Sequence, residues 1–368
     1  MKIKITFLIT LLLLFNIPVP IFGTETTLKY DMNASFDADS LKLSGEVSAK
    51  IPVQSVRDSK LLLIRAYGGP ERAKRFVYYP PKNFESDPIF ESWYDSWTKV
   101  KRVWLNNKEI PRFILQKTGL YISVPVKEID ECDEIWVRIE FETYFFNCIE
   151  NTIITTDAFP AIVTTEQKDF AYFPSTYTCK IELPARYELI SSGYKTQTIT
   201  EGDKKIVYIE DPDAGYNFLI LSRNAKLVRE SDELFPYRLY SISCNYSEDE
   251  LRKIEHDISY IYTKFGLPVG NRHELNIVLL PLRFPGLGGG TMGNLIIVNK
   301  LYISSTLYSS IFNEDIFLHE LLHYWWSNRF FAPVKEDDGI FIECFNTMLT
   351  EFLSHMRGDN NKRKENKT

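Results

Sequence analysis

Between Thr27 and about Arg229, hydrophobic and polar residues alternate in short runs that are separated by turn-forming residues. Stretches such as KLSGEVSAKIPV, EIWVRIEFETYFF and KKIVYIE place every second side chain on one face of an extended chain. Short strands at regular intervals, without helical periodicity, are typical of antiparallel sheets. The pattern therefore predicts an antiparallel β saddle or sandwich as the first half of the fold.

The pattern changes near Asp232, where apolar residues begin to recur at helical spacing in SEDELRKIEHDISYIYTKFG. Ser247 and Glu250 stand at the positions of a capping box, and Gly266 marks the end of this predicted helix. Its predicted buried stripe consists of Leu251, Ile254, Ile258 and Ile261. Two buried strands, ELNIVLLPL and NLIIVNK, and two further helices follow, so the second half is predicted to mix α and β.

Four parts are predicted along the chain: a signal peptide at 1–23, a β-sandwich domain at 24–230, an α+β domain at 231–357 and a charged tail at 358–368. The first part has a short basic beginning, an apolar run and a small residue at its end. We expect it to be cleaved, which makes the protein secreted or periplasmic. The alternative is an uncleaved segment that anchors the chain in a membrane. No later apolar run is long enough to span a bilayer, so the mature chain is expected to lack a membrane span.

Composition excludes two classes of protein. With 44% hydrophobic residues among 368, the chain is far from the composition of disordered proteins. Its formal net charge of −6, without a basic stripe outside the tail, argues against a nucleic-acid partner. The five cysteines form no CxxC pair, so a cysteine metal cluster is not predicted. Cys344 is expected to be a buried packing residue.

The sequence HELLH at 319–323 carries the clearest chemistry. Residues four apart lie on one helix face, so His319 and His323 can direct both imidazoles at one zinc ion. Glu320 can then act as the general base on a metal-bound water. Glu343 is the expected third ligand, because it sits in the apolar helix IFIECF, where an unpaired carboxylate would be costly. The other nearby carboxylates are Glu336, Asp337 and Asp338, which are expected in a solvated turn, and Glu351.

HELLHYWW, followed by a carboxylate in IFIECFNTMLTEF, resembles the gluzincin metallopeptidases and specifically the M1 aminopeptidase family. GGGTMGNLIIV, just upstream, is similar to the family's G-x-M-E-N strand, which lines the substrate cleft; Gly290, Met292 and Asn294 match it. The resemblance implies a β saddle followed by a partial thermolysin-like zinc peptidase domain. It also implies that these three residues bind substrate. The M61-type glycyl aminopeptidases are the second family considered.

Three departures from the M1 pattern change the expected activity. Gly293 replaces the glutamate that anchors the substrate's free amine in the family, and no clear counterpart of the family's glutamine segment precedes DAFP. No tyrosine follows Tyr324, although the family uses one to stabilise the oxyanion, and the loss of one such donor typically costs about 100-fold to 1000-fold in rate. We therefore expect a C-terminally truncated relative with weak or absent catalysis.

The leading hypothesis is an exported zinc-dependent metallopeptidase with one zinc ion per chain and a peptide or protein substrate. In it, His319, His323 and Glu343 hold the zinc, and Glu320 activates a zinc-bound water for hydrolysis of the peptide bond. Asn346 or Thr347, one turn beyond Glu343, is a hypothetical hydrogen-bonding neighbour of a ligand. The alternative is a non-catalytic protein that keeps the fold and binds a peptide or partner. A β-sandwich adhesin is a third hypothesis, which leaves HELLH unexplained.

Overall fold

The computed structural model of the chain describes residues 28–52, 61–65, 96–111, 114–115, 121–125, 134–145, 148, 150–156, 158–163, 175–211, 218–231, 235–266, 274–281, 289–299, 316–326 and 336–356. The predicted signal peptide, 1–23, and the predicted charged tail, 358–368, lie outside the described residues. The described residues form strands first and a mixture of strands and helices afterwards. This order confirms the predicted fold class, a β half followed by an α+β half.

The strands of the first half are β1 Leu28–Asp37, β2 Lys42–Pro52, β3 Leu61–Arg65, β4 Ser96–Leu105, β5 Lys108–Glu109, β6 Ile114–Leu115, β7 Tyr121–Pro125, β8 Glu134–Phe145, β9 Thr152–Thr156, β10 Ala161–Val163, β11 Ser175–Pro184, β12 Glu188–Ser191, β13 Tyr194–Glu201, β14 Lys204–Asp211 and β15 Phe218–Ser222. The elements that follow are β16 Ala225–Ser231, β17 Tyr237–Ile242, α1 Glu248–Phe265, β18 Leu275–Leu280, β19 Gly289–Met292, β20 Leu295–Asn299, α2 Ile316–Trp326 and α3 Glu336–Met356.

The largest sheet has eight strands in the order β13-β14-β11-β1-β2-β8-β4-β5. Buried and exposed side chains alternate strictly along β1, as the sequence pattern predicts for a strand with one face towards a core. The pairing departs from the prediction at one place, because β1 and β11 run parallel, with Leu28 opposite Ser175. The other pairs of this sheet are antiparallel.

Two smaller sheets, β10-β3-β7-β6 and β12-β15-β9, pack on the inner face of the large sheet. The shared core contains Met32 and Phe141 from the large sheet, Ile64 from the first small sheet and Leu221 from the second. Burial of these apolar faces against each other is the main force that holds such a sandwich together.

The second half is built on a five-stranded sheet in the order β16-β17-β18-β20-β19. Strands β17, β18 and β20 are parallel, and β19 returns antiparallel along the edge. Every residue of β18 and β20 is buried, because the sheet is covered on both faces. Helices α1 and α2 cover one face, and Ile190 and Ile220 of the first half pack against the other face.

Helix α1 confirms the predicted capping box. The Ser247 hydroxyl accepts a hydrogen bond from the main-chain N–H of Glu250, and the Glu250 carboxylate accepts one from the Ser247 N–H. The helix ends at Gly266, whose N–H bonds to the carbonyl of Tyr262. The predicted stripe is buried, and it includes one residue that the pattern did not indicate, Asp257.

Two expectations about the second half are corrected. Helix α3 begins at Glu336, so the acidic residues Glu336, Asp337 and Asp338 form its first turn instead of a separate turn. Negative residues in a first turn are favoured by the partial positive charge of a helix N-terminus. Cys344 is exposed rather than buried.

The predicted boundary between residues 230 and 231 lies at the end of β16, a strand that already pairs within the five-stranded sheet. The four-part division of the chain remains a prediction. Within the part of the chain that the structure describes, no helix has both the length and the apolar character needed to cross a membrane.

Candidate metal centre

Helix α2 carries the HELLH sequence through the core of the second half. Leu318, Leu321 and Leu322 are fully buried, so the helix is fixed on its apolar sides by its neighbours. Tyr324 and Trp325 are also buried, as expected for packing residues, and the Trp325 indole N–H donates to the carbonyl of Gly266, 2.9 Å away. The position of the two histidines is therefore set by a rigid element.

The structure brings His319, His323 and Glu343 together. The Nε2 atoms of the two histidines are 3.0 Å apart, and His319 Nε2 lies 3.1 Å from Glu343 Oε2. The distance from His323 Nε2 to Glu343 Oε1 is 3.4 Å. Three potential donor atoms from two helices thus converge on one small volume.

Glu343 reaches this volume from α3. Its side chain is not buried, although its place in an apolar helix predicted that it would be. Its side chain is 62% exposed, whereas those of His319 and His323 are 11% and 10% exposed. The two imidazoles, His319 foremost, hold the pKa of the Glu343 carboxyl well below its ordinary value. The carboxylate therefore lies at the open side of the group and stays ionised.

The three side chains fit a zinc ion. Two imidazoles and one carboxylate are a known ligand set of catalytic zinc, with bonds of about 2.0–2.2 Å to nitrogen and oxygen. Donor atoms at the corners of a tetrahedron of that size are about 3.4 Å apart. The observed separations of 3.0–3.4 Å are close to that value.

Glu320, next to the first histidine, points to the edge strand β19. The Thr291 hydroxyl Oγ1 lies 2.9 Å from Glu320 Oε2 and 2.7 Å from the Glu320 main-chain oxygen. The residue is 9% exposed. Burial raises the pKa of this carboxyl, and the nearby histidines partly oppose the rise.

Gly289 lies against the same side chain. A Cβ atom added to Gly289 would be 2.7 Å from Glu320 Cγ and 3.0 Å from Ile316 Cγ2, which is too close for either. Glycine is therefore required for β19 to approach α2 this closely. Neither Gly289 nor Thr291 is among the site residues that the sequence predicts. The run GGGT contained the signal, since glycine in a strand often marks a close approach.

The three predicted substrate-binding residues occupy different surroundings. Gly290 is on the edge strand, and a Cβ added there would meet nothing within 4 Å. Met292 ends the same strand. Asn294 is 4% exposed; its N–H donates to the Ser192 carbonyl, and its own carbonyl accepts from the Asn276 N–H. Gly290 thus borders open space, whereas Asn294 is enclosed.

Gly293 lies in the turn between β19 and β20 with φ at +57°, and an added Cβ would be 3.1 Å from the Ser192 carbonyl oxygen. Residues with a side chain rarely adopt this backbone conformation, and Ser192 already occupies the space that a Cβ on Gly293 would enter. A glutamate at this position would be strained in this turn. The family's amine anchor therefore has no counterpart at Gly293.

Comparisons with known proteins give a likeness of fold. No protein-family model matches the chain, and no curated protein sequence matches it. Among solved structures, yeast LTA4 hydrolase in complex with bestatin superposes with a TM-score of 0.51 at 16% identity, over 82% of this chain and 44% of that chain. The M1 zinc metallopeptidase of Deinococcus radiodurans, as a mutant bound to a Tyr-Ser-Ala substrate, gives 0.50 at 12% identity, over 83% and 66%.

The chain has a fold like that of the M1 zinc metallopeptidase of Deinococcus radiodurans over 83% of its length. It spans less than half the length of the yeast hydrolase and about two thirds of the Deinococcus enzyme. At these identities the likeness concerns the fold alone.

Proposed function

We propose that the protein is an exported zinc-dependent metallopeptidase. The observation that carries this proposal is the convergence of His319, His323 and Glu343, with Glu320 beside them in a buried position. The M1-like fold supports it, because the structurally similar protein of Deinococcus radiodurans is a zinc metallopeptidase. The proposal that the protein is exported is based on the predicted signal peptide. The proposal that residues after 230 form the catalytic domain is based on the predicted division at residues 230/231.

The chain's own residues have distinct roles in this proposal. His319, His323 and Glu343 would hold one zinc ion, which, when bound, lowers the pKa of water and polarises a carbonyl group. Glu320 takes a proton from the attacking water and passes it to the nitrogen of the leaving amine.

A peptide substrate can lie along β19. One side of this strand pairs with β20, and its other side is the edge of the sheet. Gly290 borders open space there, so an extended peptide can approach the main chain and add to the sheet as a further strand. The resemblance to the M1 family makes Met292 and Asn294 proposed substrate-binding residues. Asn294 is enclosed, so it would act by fixing the shape of the β19–β20 turn. Glycine at 293 favours either an exopeptidase of altered specificity or an endopeptidase.

One second candidate is favoured by a specific observation. Gly293 supplies no charge, and a larger residue at its positive φ would be strained against Ser192, so a peptide's free amine lacks the family's anchor. A non-catalytic protein that binds an extended peptide along β19 is consistent with this feature.

The test is zinc content and peptide cleavage by the purified full chain. We expect about one zinc ion per chain and cleavage of a mixed peptide pool that Glu320→Gln abolishes while zinc content stays the same. Zinc binding without any cleavage would favour the binding protein. Absence of zinc from the wild-type chain would overturn the metallopeptidase proposal.

A further inference from the structure

We propose that Thr291 is a positioning residue that holds the Glu320 carboxylate in its working orientation. This inference rests on the proposed function for its catalytic meaning. Its structural content, a hydrogen bond between two side chains, can be measured without activity.

The geometry of β19 supplies the first argument. Successive residues of a strand point to opposite faces, so Gly289 and Thr291 both face α2, while Gly290 faces away. Thr291 Oγ1 lies 2.9 Å from Glu320 Oε2, and Glu320 Cγ lies only 2.7 Å from the position that a Cβ on Gly289 would take. The strand therefore limits the Glu320 side chain from two directions.

The need for a partner supplies the second argument. A carboxylate that is almost completely buried loses its hydration, and a hydrogen-bond donor must replace at least part of it. Among the described residues, Thr291 is the side chain that donates to the Glu320 carboxylate.

The chemistry of a hydroxyl supplies the third argument. Its single hydrogen can point to the carboxylate at 2.9 Å or to the main-chain oxygen of Glu320 at 2.7 Å, and its oxygen can also accept. Either contact ties the Thr291 side chain to Glu320. A methyl group in place of the hydroxyl can make neither.

The test compares Thr291→Val, which replaces the hydroxyl by a methyl group, with Thr291→Ser, which keeps the hydroxyl. Thr178→Val is the matched control, because the Thr178 hydroxyl also contacts a main-chain oxygen and a carboxylate, those of Tyr30 and Asp31, each at 3.3 Å. The first measurement is the carboxyl carbon-13 resonance of Glu320 in the metal-free chain, assigned by its loss in Glu320→Gln.

We expect the Glu320 resonance to shift in Thr291→Val and to stay in place in Thr291→Ser and Thr178→Val. In the zinc-loaded chain, Thr291→Val should lower kcat by about 10-fold to 100-fold with KM and zinc content unchanged, as expected when a catalytic group is misplaced. Thr291→Ser should restore most of the rate.

An unmoved resonance in Thr291→Val overturns the positioning role, as does an unchanged kcat. A fall in kcat that Thr291→Ser does not restore also overturns it. The loss of activity would then come from a change in the strand β19 rather than from the missing hydroxyl group. If the wild-type chain cleaves no peptide, the peptidase proposal fails, and the resonance still decides whether Thr291 holds Glu320.

Discussion

His319 Nε2 lies 3.1 Å from Glu343 Oε2, across the contact between α2 and α3. The contact joins a buried imidazole to a carboxylate that is 62% exposed. The carboxylate completes the donor group from outside the apolar core. Replacing Glu343 should therefore weaken metal binding and leave the packing of the core in place.

Zinc should stabilise the chain through this group. At a free concentration of about 100 times its Kd, a ligand that binds only the folded state adds about 2.7 kcal/mol to the free energy of unfolding. We expect this gain in thermal unfolding of the wild-type chain, its reversal by a chelator and its loss in Glu343→Ala. Glu351→Ala, at an exposed position of the same helix, should keep the gain. Equal zinc responses in the two variants would show that Glu343 is not a ligand.

Adding a methyl group should destabilise the chain at Gly289 much more than at the neighbouring Gly290. Gly289→Ala places a Cβ 2.7 Å from Glu320 Cγ, so we expect a loss of about 1–3 kcal/mol in the free energy of unfolding, as for other overpacked sites. Gly290→Ala, where a Cβ meets nothing within 4 Å, should cost less than about 0.5 kcal/mol. Chemical denaturation of both metal-free variants measures the difference. Similar losses would mean that β19 does not approach α2 as closely as described.

Acid should weaken the outer face of the large sheet through Glu142. Hydrogen bonds to this carboxylate from Lys101, 2.8 Å away, and from Tyr144 and Lys42 hold its pKa at about 2 instead of 4.5. Because the pKa is lower in the folded state, the ionised carboxylate stabilises the fold above pH 4.5, and this contribution disappears as the pH falls towards 2.

We therefore expect Glu142→Gln to lower the free energy of unfolding at neutral pH by on the order of 2 kcal/mol and to flatten its dependence on pH below 4.5. Glu134→Gln is the control, since Glu134 is 62% exposed and lies 3.7 Å from the ammonium group of Lys50. Exposed pairs of this kind contribute about 0–1 kcal/mol. Parallel pH profiles for wild type and Glu142→Gln would refute the assignment.

A buried hydroxyl in α3 should be dispensable. Thr350 Oγ1 is fully buried and has no hydrogen-bond partner among the described residues. Thr350→Val removes an unsatisfied group at constant shape, so the free energy of unfolding should rise by about 1 kcal/mol. Thr143→Val should lower it by a similar amount, because the buried Thr143 hydroxyl donates to the carbonyl of Ala158 at 2.7 Å. Destabilisation by both changes would indicate an internal water or ligand at Thr350.

Local patterns were sufficient for much of this fold. Alternation predicted the one-sided burial of β1, and the Ser247–Glu250 pair predicted where α1 begins, because both features depend on residues close in sequence. The parallel pairing of Leu28 with Ser175 was not predictable in the same way. Its register depends on how two distant segments pack, and no short-range pattern records that.

The residues of the candidate site divide in the same way, into those that local spacing predicts and those that depend on distant segments. Helical spacing alone predicts that His319 and His323 lie on one face of α2. The burial that its apolar helix predicts for Glu343 is wrong, since the side chain is 62% exposed; its position 3.1 Å from His319 is what places it in the group. Thr291 was missed altogether, because its contact with Glu320 exists only when an edge strand and a helix are packed together.

The seam between the two halves has a consequence for how the molecule unfolds. Ile190 and Ile220 of the first half cover Tyr240 and Val278 of the second, and Ser192 accepts a hydrogen bond from the turn that follows β19. Opening this seam would expose one whole apolar face of the five-stranded sheet to water. Because exposing this face to water would cost free energy, neither half unfolds independently of the other. We therefore expect both halves to unfold in one cooperative transition. A fragment cut at residues 230/231 would then be prone to self-association rather than an independent domain.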